Sequence, residues 1–313
     1  FKAAYSSVFS YRKISEEEVR EELGKTSASV NDKFSFSLKS VENFEKELDK
    51  LLQDLISRKQ ISWEDRQRVE WLLGQQEELR RNYQRLSKEI REKQRLENEL
   101  LETDKELQEK QRQLQELMDK LFDEKTMRKL EELQELMRQN APREKLTDVL
   151  EDVKRQKDAL RSEIERNLNL YKYLEFENKL RQSVGDAKKL LERSRDVSSR
   201  MRQVSNRKEY PSDSMLALQQ DLEKERVRLQ KDLEKLEDLN SDLEKSTSFF
   251  KPDSLLEKVR KNMKDTRSRL QENDRKSAEK TQGRTDESLE ELVENLMSQM
   301  ERIEEENEAE DAD

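Results

Sequence analysis

The 313-residue chain carries 64 Lys and Arg against 73 Asp and Glu, a formal charge of −9, with 44% charged and 31% hydrophobic residues. That apolar share is too small for rounded globular cores, whereas Glu, Lys, Leu, Arg and Gln in excess is the composition of long helices and coiled coils. With no Cys, no His and four scattered glycines, the sequence excludes thiol and imidazole chemistry, disulfides, Cys/His zinc sites and glycine-rich phosphate loops, and it contains no apolar run long enough to cross a bilayer.

In chain order, residues 1–13 stand apart: Tyr5, Val8, Phe9 and Tyr11 are strand formers with little charge between them. This segment reads as a strand remnant of an upstream domain, and the start at Phe1 suggests a processed product or a piece of a longer chain. Residues 14–36 read as a linker, with a short acidic helix at 15–22 and a Ser/Gly-containing stretch from Gly24 to Asn31. From Ser37 to Arg58, Val41, Phe44, Leu48, Leu51 and Leu55 recur at spacings of 3 and 4, one apolar stripe on a helix. Ser62 and Asp65 form a capping box that starts the next helix.

That second helix shows the strongest pattern. Leu72, Leu79, Leu86, Leu100, Leu107, Leu114 and Leu121 share one seven-residue register, interrupted only by Lys93. The companion seam is half polar, with Val69, Tyr83, Ile90 and Met118 but also Gln76, Glu97, Asp104 and Gln111. A continuous helix over 63–120 would span ~87 Å at 1.5 Å per residue. A short helix follows, with Met127, Leu130, Leu133 and Met137, broken at Asn140-Ala141-Pro142. The next helix, 143–203, carries Leu146, Leu150, Val153, Leu160, Ile164, Tyr171 and Leu174 and nearly matches the second in length. The pattern predicts an all-α fold: an extended antiparallel coiled-coil hairpin over 37–209, tip near 121–142. Further coiled-coil helices over 210–270 use Met215, Leu222, Leu229, Leu236 and Leu243, then Leu256, Val259, Met263 and Leu270. Residues 271–284 read as a linker, 285–303 as an amphipathic helix and 304–313 as a disordered acidic tail.

SYRKISEEE (10–18), ISWED (61–65), LQEKQRQLQELMDKLFDEKTMRKLEELQELM (107–137) and LYKYLEFENKLRQSV (170–184) carry a resemblance. They resemble, in order and wording, an uncharacterised Bacteroidetes family of large membrane-anchored proteins, in which membrane helices and β-rich repeats precede a charged helical region. The Trp63-Glu64-Asp65 and Phe122-Asp123-Glu124-Lys125 groups are its most distinctive elements here. The resemblance implies a cell-envelope location and membrane anchoring through upstream segments; it implies no activity.

Three surfaces are candidates for binding. The face formed by Leu289, Leu292, Val293, Leu296, Met297, Met300 and Ile303 reads as a partner helix, its methionines suiting varied partners. The stretch Lys188, Lys189, Arg193, Arg195, Arg200, Arg202, Arg207 and Lys208, diluted by only two acids, reads either as a polyanion contact or as a solvated helix face. The lack of interleaved aromatics argues against nucleic acid. Trp63 and Trp71 read as packing of the helix start against the first helix or as a partner anchor, while Tyr173 and Phe176 leave the seam and read as local packing or as surface contacts. The function predicted is a non-enzymatic scaffold acting through protein partners or self-association of its helices, with anionic lipid or nucleic-acid binding through 188–208 as the alternative. No cofactor or metal is expected. Residues 285–313 hold 13 acids and one base, so the remainder is slightly basic and the acidic end is placed to shield the basic stretch.

Overall fold

The computed structural model describes residues 15–57, 61–100, 105–122, 125–205, 212–246 and 252–312. The fold is all-α. Among the described residues there are eight helices and no strand: α1 (Glu16–Ser57), α2 (Trp63–Leu100), α3 (Lys105–Lys120), α4 (Lys125–Arg138), α5 (Arg143–Ser205), α6 (Ser212–Ser241), α7 (Asp253–Gln271) and α8 (Arg275–Ala312). No described helix is long and apolar enough to cross a membrane. The predicted strand at 1–13 lies outside the described residues. The chain divides into two units, 1–170 and 171–313, so α5 contributes its first part to one and its second part to the other.

Unit 1 is a four-layered antiparallel arrangement. The α2 start is the capping box read from the sequence: the Ser62 N–H donates to Asp65 (2.8 Å) and the Asp65 N–H donates to the Ser62 hydroxyl (3.1 Å). Helix α1 runs against α2, with Ser29 donating to Glu89 at 2.9 Å and Arg68 paired with Asp54. Helix α3 folds back along the far part of α2: Asn98 donates to Gln111 (3.0 Å) and Arg91 pairs with Asp119 (2.8 Å). Helix α4 continues that return, placing Leu130, Leu133 and Met137 in a core with Val69 and Leu72 of α2. Its end is closed by Asn140 in the left-handed region (φ 50), with the Ala141 N–H donating to the Leu136 carbonyl at 3.0 Å. Helix α5 then runs antiparallel to α1, with Lys154 on Asp49 at 2.5 Å, and parallel to α2, with Asn167 on Tyr83 at 2.7 Å. Phe44, Leu48, Leu51 and Leu55 meet Leu146, Leu150 and Val153 across this core.

Two expectations change here. The hairpin of 63–120 against 143–203, with its tip at 121–142, is replaced by an α2 to α3–α4 return, and α5 lies parallel to α2. Strict leucine spacing fixes which face is buried but not the direction or identity of the neighbour. The stretch read as a linker at 14–36 is helical from Glu16. Ser15 caps it by exchanging hydrogen bonds with Glu18 (3.0 and 3.2 Å). Thr26, Ser27, Ser35, Ser37 and Ser40 turn their hydroxyls back onto carbonyls four residues earlier, so they travel inside the helix. Leu23, Val30 and Phe34 extend the buried stripe through that region.

Unit 2 is an up-and-down four-helix bundle made from the second part of α5 with α6, α7 and α8. Lys179 reaches Asp232 at 2.5 Å, and Lys172 donates to the Asp242 carbonyl at 3.1 Å, which sets α6 antiparallel to α5. Thr266 donates to Thr281 (2.8 Å) between α7 and α8. Arg181 to Glu304 (2.8 Å) and Arg195 to Glu290 (2.5 Å) set α8 antiparallel to α5. Phe176, Leu180, Leu190, Val197 and Met201 of α5 share one core with Leu222, Leu229 and Leu236 of α6, Leu256, Val259 and Met263 of α7 and Leu289, Leu292 and Leu296 of α8.

The linker expected at 271–284 is corrected to a tight α7–α8 turn. Asn273 takes the left-handed conformation (φ 59), the Asp274 N–H donates to the Arg269 carbonyl (2.9 Å), and the Asp274 carboxylate accepts the Ser277 N–H (3.2 Å). The helix that follows buries Ala278, Gln282 and Thr285 at helical spacing, a polar seam that a search for apolar periodicity misses. The tail expected to be disordered over 304–313 continues α8 to Ala312, as its Glu- and Ala-rich composition permits.

Candidate interaction surface

Most of the leucine seam is core where it is described. Leu72, Leu79, Leu86, Leu107 and Leu114 are buried, as are Leu222, Leu229 and Leu236; Leu121 and Leu243 are half-buried. The side chain of Leu100 lies outside the described residues. Lys93, the exception in the seam, is buried with Glu97 as an ion pair one turn away. Such a pair gains Coulomb energy against a large desolvation cost, so its burial adds little net stability.

The C-terminal partner helix is corrected outright. Leu289, Leu292, Val293, Leu296 and Ile303 are buried, and Met297 and Met300 pack on the same core. These side chains are the fourth wall of unit 2 and offer no free face. Phe176 is a fully buried core residue with Tyr173 half-buried beside it, so local packing, not surface contact, is the role of this pair.

The basic stretch is engaged by acids of its own unit. Arg193 pairs with Glu225 of α6, Arg195 with Glu290 (2.5 Å) and Arg202 with Glu279 (3.5 Å) of α8, and Arg200 with Asp196 of its own helix (2.8 Å). Glu290 at Arg195, and α5 contacts from Asp286 and Glu304, bring part of the acidic end onto α5 within unit 2. Lys188 and Lys189 are exposed; Arg207 and Lys208 lie outside the described residues.

Both units also contain polar centres that the apolar pattern hides. In unit 1, Lys157 falls on the α5 stripe between Val153 and Leu160 and is fully buried. Its ammonium lies 4.1 Å from the Phe44 ring centroid and donates to the Gln76 side-chain oxygen. Burial pushes its pKa down to about 7, with Glu45 pulling the other way. One layer on, Tyr83 accepts a hydrogen bond from Asn167 and meets Phe34 edge-on (6.1 Å) and Phe122 (5.3 Å), and burial raises its phenol well above the ordinary value. In unit 2, Asp286 accepts hydrogen bonds from Ser194 and Ser198 at 2.5 Å each, while Gln282 donates to Ser194 (2.9 Å) and accepts from Gln219 (2.6 Å). These layers specify which helices pair and in what register, because any slip strands a buried polar group.

The large hydrophobic side chains exposed among the described residues are Phe36 and Ile56 of α1, Trp63, Trp71 and Leu96 of α2 and Val227 of α6, and the two tryptophans lie toward the outer face of α2. Trp63 is 73% exposed and Trp71 41%, so neither ring is buried by the expected packing against α1. At 100° per residue, Trp63, Gln67, Gly74, Glu78, Arg81 and Arg85 fall on the side opposite Val69, Leu72, Leu79 and Tyr83, with Trp71 at its margin. Ile56, at the end of α1, is 67% exposed. A large aromatic left in water forgoes the burial free energy that its area offers, so two on one helix face mark a surface suited to a partner. The tryptophans were visible in the sequence; their direction was not, because it depends on which heptad position meets α1.

Compared with protein-family models, with characterised proteins and with solved structures, the chain matches none.

Proposed function

We propose that this chain is a non-enzymatic helical scaffold, part of a cell-envelope protein, which engages protein through the outer face of α2. The observation that carries the reading is the exposure of Trp63 and Trp71 on a helix whose opposite face already has a complete core. Indoles supply large, rigid contact area and dominate the energetics of many interfaces. The envelope location is supported by the resemblance of 10–18, 61–65, 107–137 and 170–184 to the membrane-anchored family described above. The mechanism is positional: polar layers lock the helices, and the locked helix presents two aromatic anchors at a fixed spacing of about 12 Å along α2.

The test is site-specific photo-cross-linking at Gln67 in cells, followed by fractionation. A protein adduct in the envelope fraction that disappears when Trp63 and Trp71 are replaced by Ala is the expected result. Absence of any adduct, or adducts indifferent to both tryptophans, overturns the interaction role. Recovery of the chain solely outside the envelope fraction overturns the location.

A further inference from the structure

We infer that the protein engaged by the outer face of α2 presents a helix with an acidic strip, which seats on Arg81, Arg85 and Lys88. This deepens the proposed function and rests on its reading of the α2 face as a protein-binding surface.

Charge is segregated along α2. Residues 63–79 hold five acids and two bases, whereas residues 80–91 hold five bases and one acid. At 100° per residue, Arg81, Arg85 and Lys88 fall within about 60° of one another, on the side away from Leu72, Tyr83 and Leu86, over about 10 Å of helix. Trp63 lies on the same line, about 27 Å from Arg81. All four side chains are exposed. Cations three and four residues apart on a helix repel one another, so the triplet costs the free chain stability. Nearby acids relieve that repulsion incompletely. Glu77 holds Arg81 at 2.9 Å, and Glu92 approaches Lys88 only to 3.7 Å. Glu89, one turn from Arg85, is turned to α1, where it accepts from Ser29 (2.9 Å) and pairs with Lys33. Among the described residues no acid pairs with Arg85, the middle cation. Carboxylates brought by another molecule complete the triplet.

The kind of anion follows from the rest of the face. Glu70 and Glu78 are exposed on its first half, where a nucleic acid or an anionic bilayer would meet like charge. A protein helix can match both halves, because its side chains recur on one face at fixed spacing. Acids then stand opposite residues 81–88, and apolar or basic side chains opposite Trp63, Glu70 and Glu78. The indole end supplies contact area, and the basic end sets the register and rejects a partner of the wrong charge.

The probes are two tryptophan-free amphipathic peptides of about 25 residues, identical in their leucine face and carrying either a glutamate or a lysine strip. Anisotropy of the labelled peptides with the full chain should give the glutamate peptide a dissociation constant of roughly 10–100 µM, weakening with salt. The lysine peptide should bind at least about ten-fold more weakly. Arg85→Glu places an acid between two cations, so it should raise the melting temperature slightly while weakening the glutamate peptide about ten-fold or more. A residue that served only the fold would not gain stability and lose binding together. Trp63→Ala should also weaken the glutamate peptide. Equal binding of the two peptides, equal binding of unstructured poly-glutamate, or binding indifferent to Arg85→Glu overturns the inference. Binding to phosphatidylglycerol vesicles at least as tight as to the glutamate peptide makes lipid the occupant and overturns it too. Self-association of the chain that disappears in Arg85→Glu makes a second copy the occupant, with the same consequence. If Gln67 adducts in cells survive Arg85→Glu but not loss of the tryptophans, the acidic strip fails and the protein-binding reading stands; if Gln67 captures nothing, that reading fails as well.

Discussion

Lys157 lies inside the core of unit 1, against the Phe44 ring, with a pKa near 7 instead of the ordinary 10.5. Between those two values the unfolded chain holds a proton that the folded chain releases. Stability therefore rises with pH across the window from about 7 to 10.5, and the full cost of the buried ammonium is carried below it. The two pKa values correspond to about 3 kcal/mol of change between pH 7 and 9.5. The paired replacement Lys157→Met with Gln76→Leu keeps the volume, removes the charge and avoids stranding the amide oxygen. It should be more stable than the wild type at pH 7, and the gap should shrink by about 3 kcal/mol at pH 9.5. Urea unfolding followed by far-ultraviolet circular dichroism and by indole emission measures this, both tryptophans lying in unit 1. The window is favourable because the chain has neither His nor Cys to titrate within it. A wild-type stability that is flat or falls between pH 7 and 9.5, or a slope that persists in the paired variant, would refute the reasoning.

Leu292→Ala in α8 should destabilise unit 2 by about 2–5 kcal/mol in chemical denaturation, because it opens a cavity in a fully buried seam; a change within 0.5 kcal/mol would mean that α8 does not wall the core. Asp286→Ala removes the acceptor of two buried serine hydroxyls and should cost about 1–3 kcal/mol, whereas simultaneous Ser194→Ala and Ser198→Ala should recover part of that loss in a double-mutant comparison. Neutralising Glu225, Glu279 and Glu290 to Gln should create salt-sensitive binding of the full chain to DNA or anionic vesicles, since these acids occupy Arg193, Arg202 and Arg195. Tight binding by the unmodified chain, falling steeply with salt, would show that the ion pairs do not mask the stretch.

Helix class, the buried leucine register and the Ser62–Asp65 start could be read directly from the sequence, because each depends on local spacing or a local cap. Neighbour identity could not. Leu107 and Leu114 keep the register of Leu72 and Leu79, yet α3 folds back on α2 through Asn98–Gln111 and Arg91–Asp119. Those polar contacts leave no trace in hydrophobic periodicity. The two linker readings failed for a related reason: Ser-rich α1 and the Ala278–Gln282–Thr285 seam satisfy polar groups inside helices. The strong apolar face of α8 reads in sequence as a partner site because amphipathicity shows that a face is buried without showing whether the covering side chains belong to the same chain. Conversely, Trp63 and Trp71 read in sequence as packing residues, because their place outside the core face depends on which neighbours α2 meets.

The most direct measurement combines association and stability on one variant, Trp63→Ala with Trp71→Ala. Both rings lie outside the buried seam of α2, so their loss should change the thermal midpoint little, while in-cell cross-linking at Gln67 should lose its protein adduct. A large fall in melting temperature with association intact would contradict the assignment of the outer face of α2 as the interaction surface.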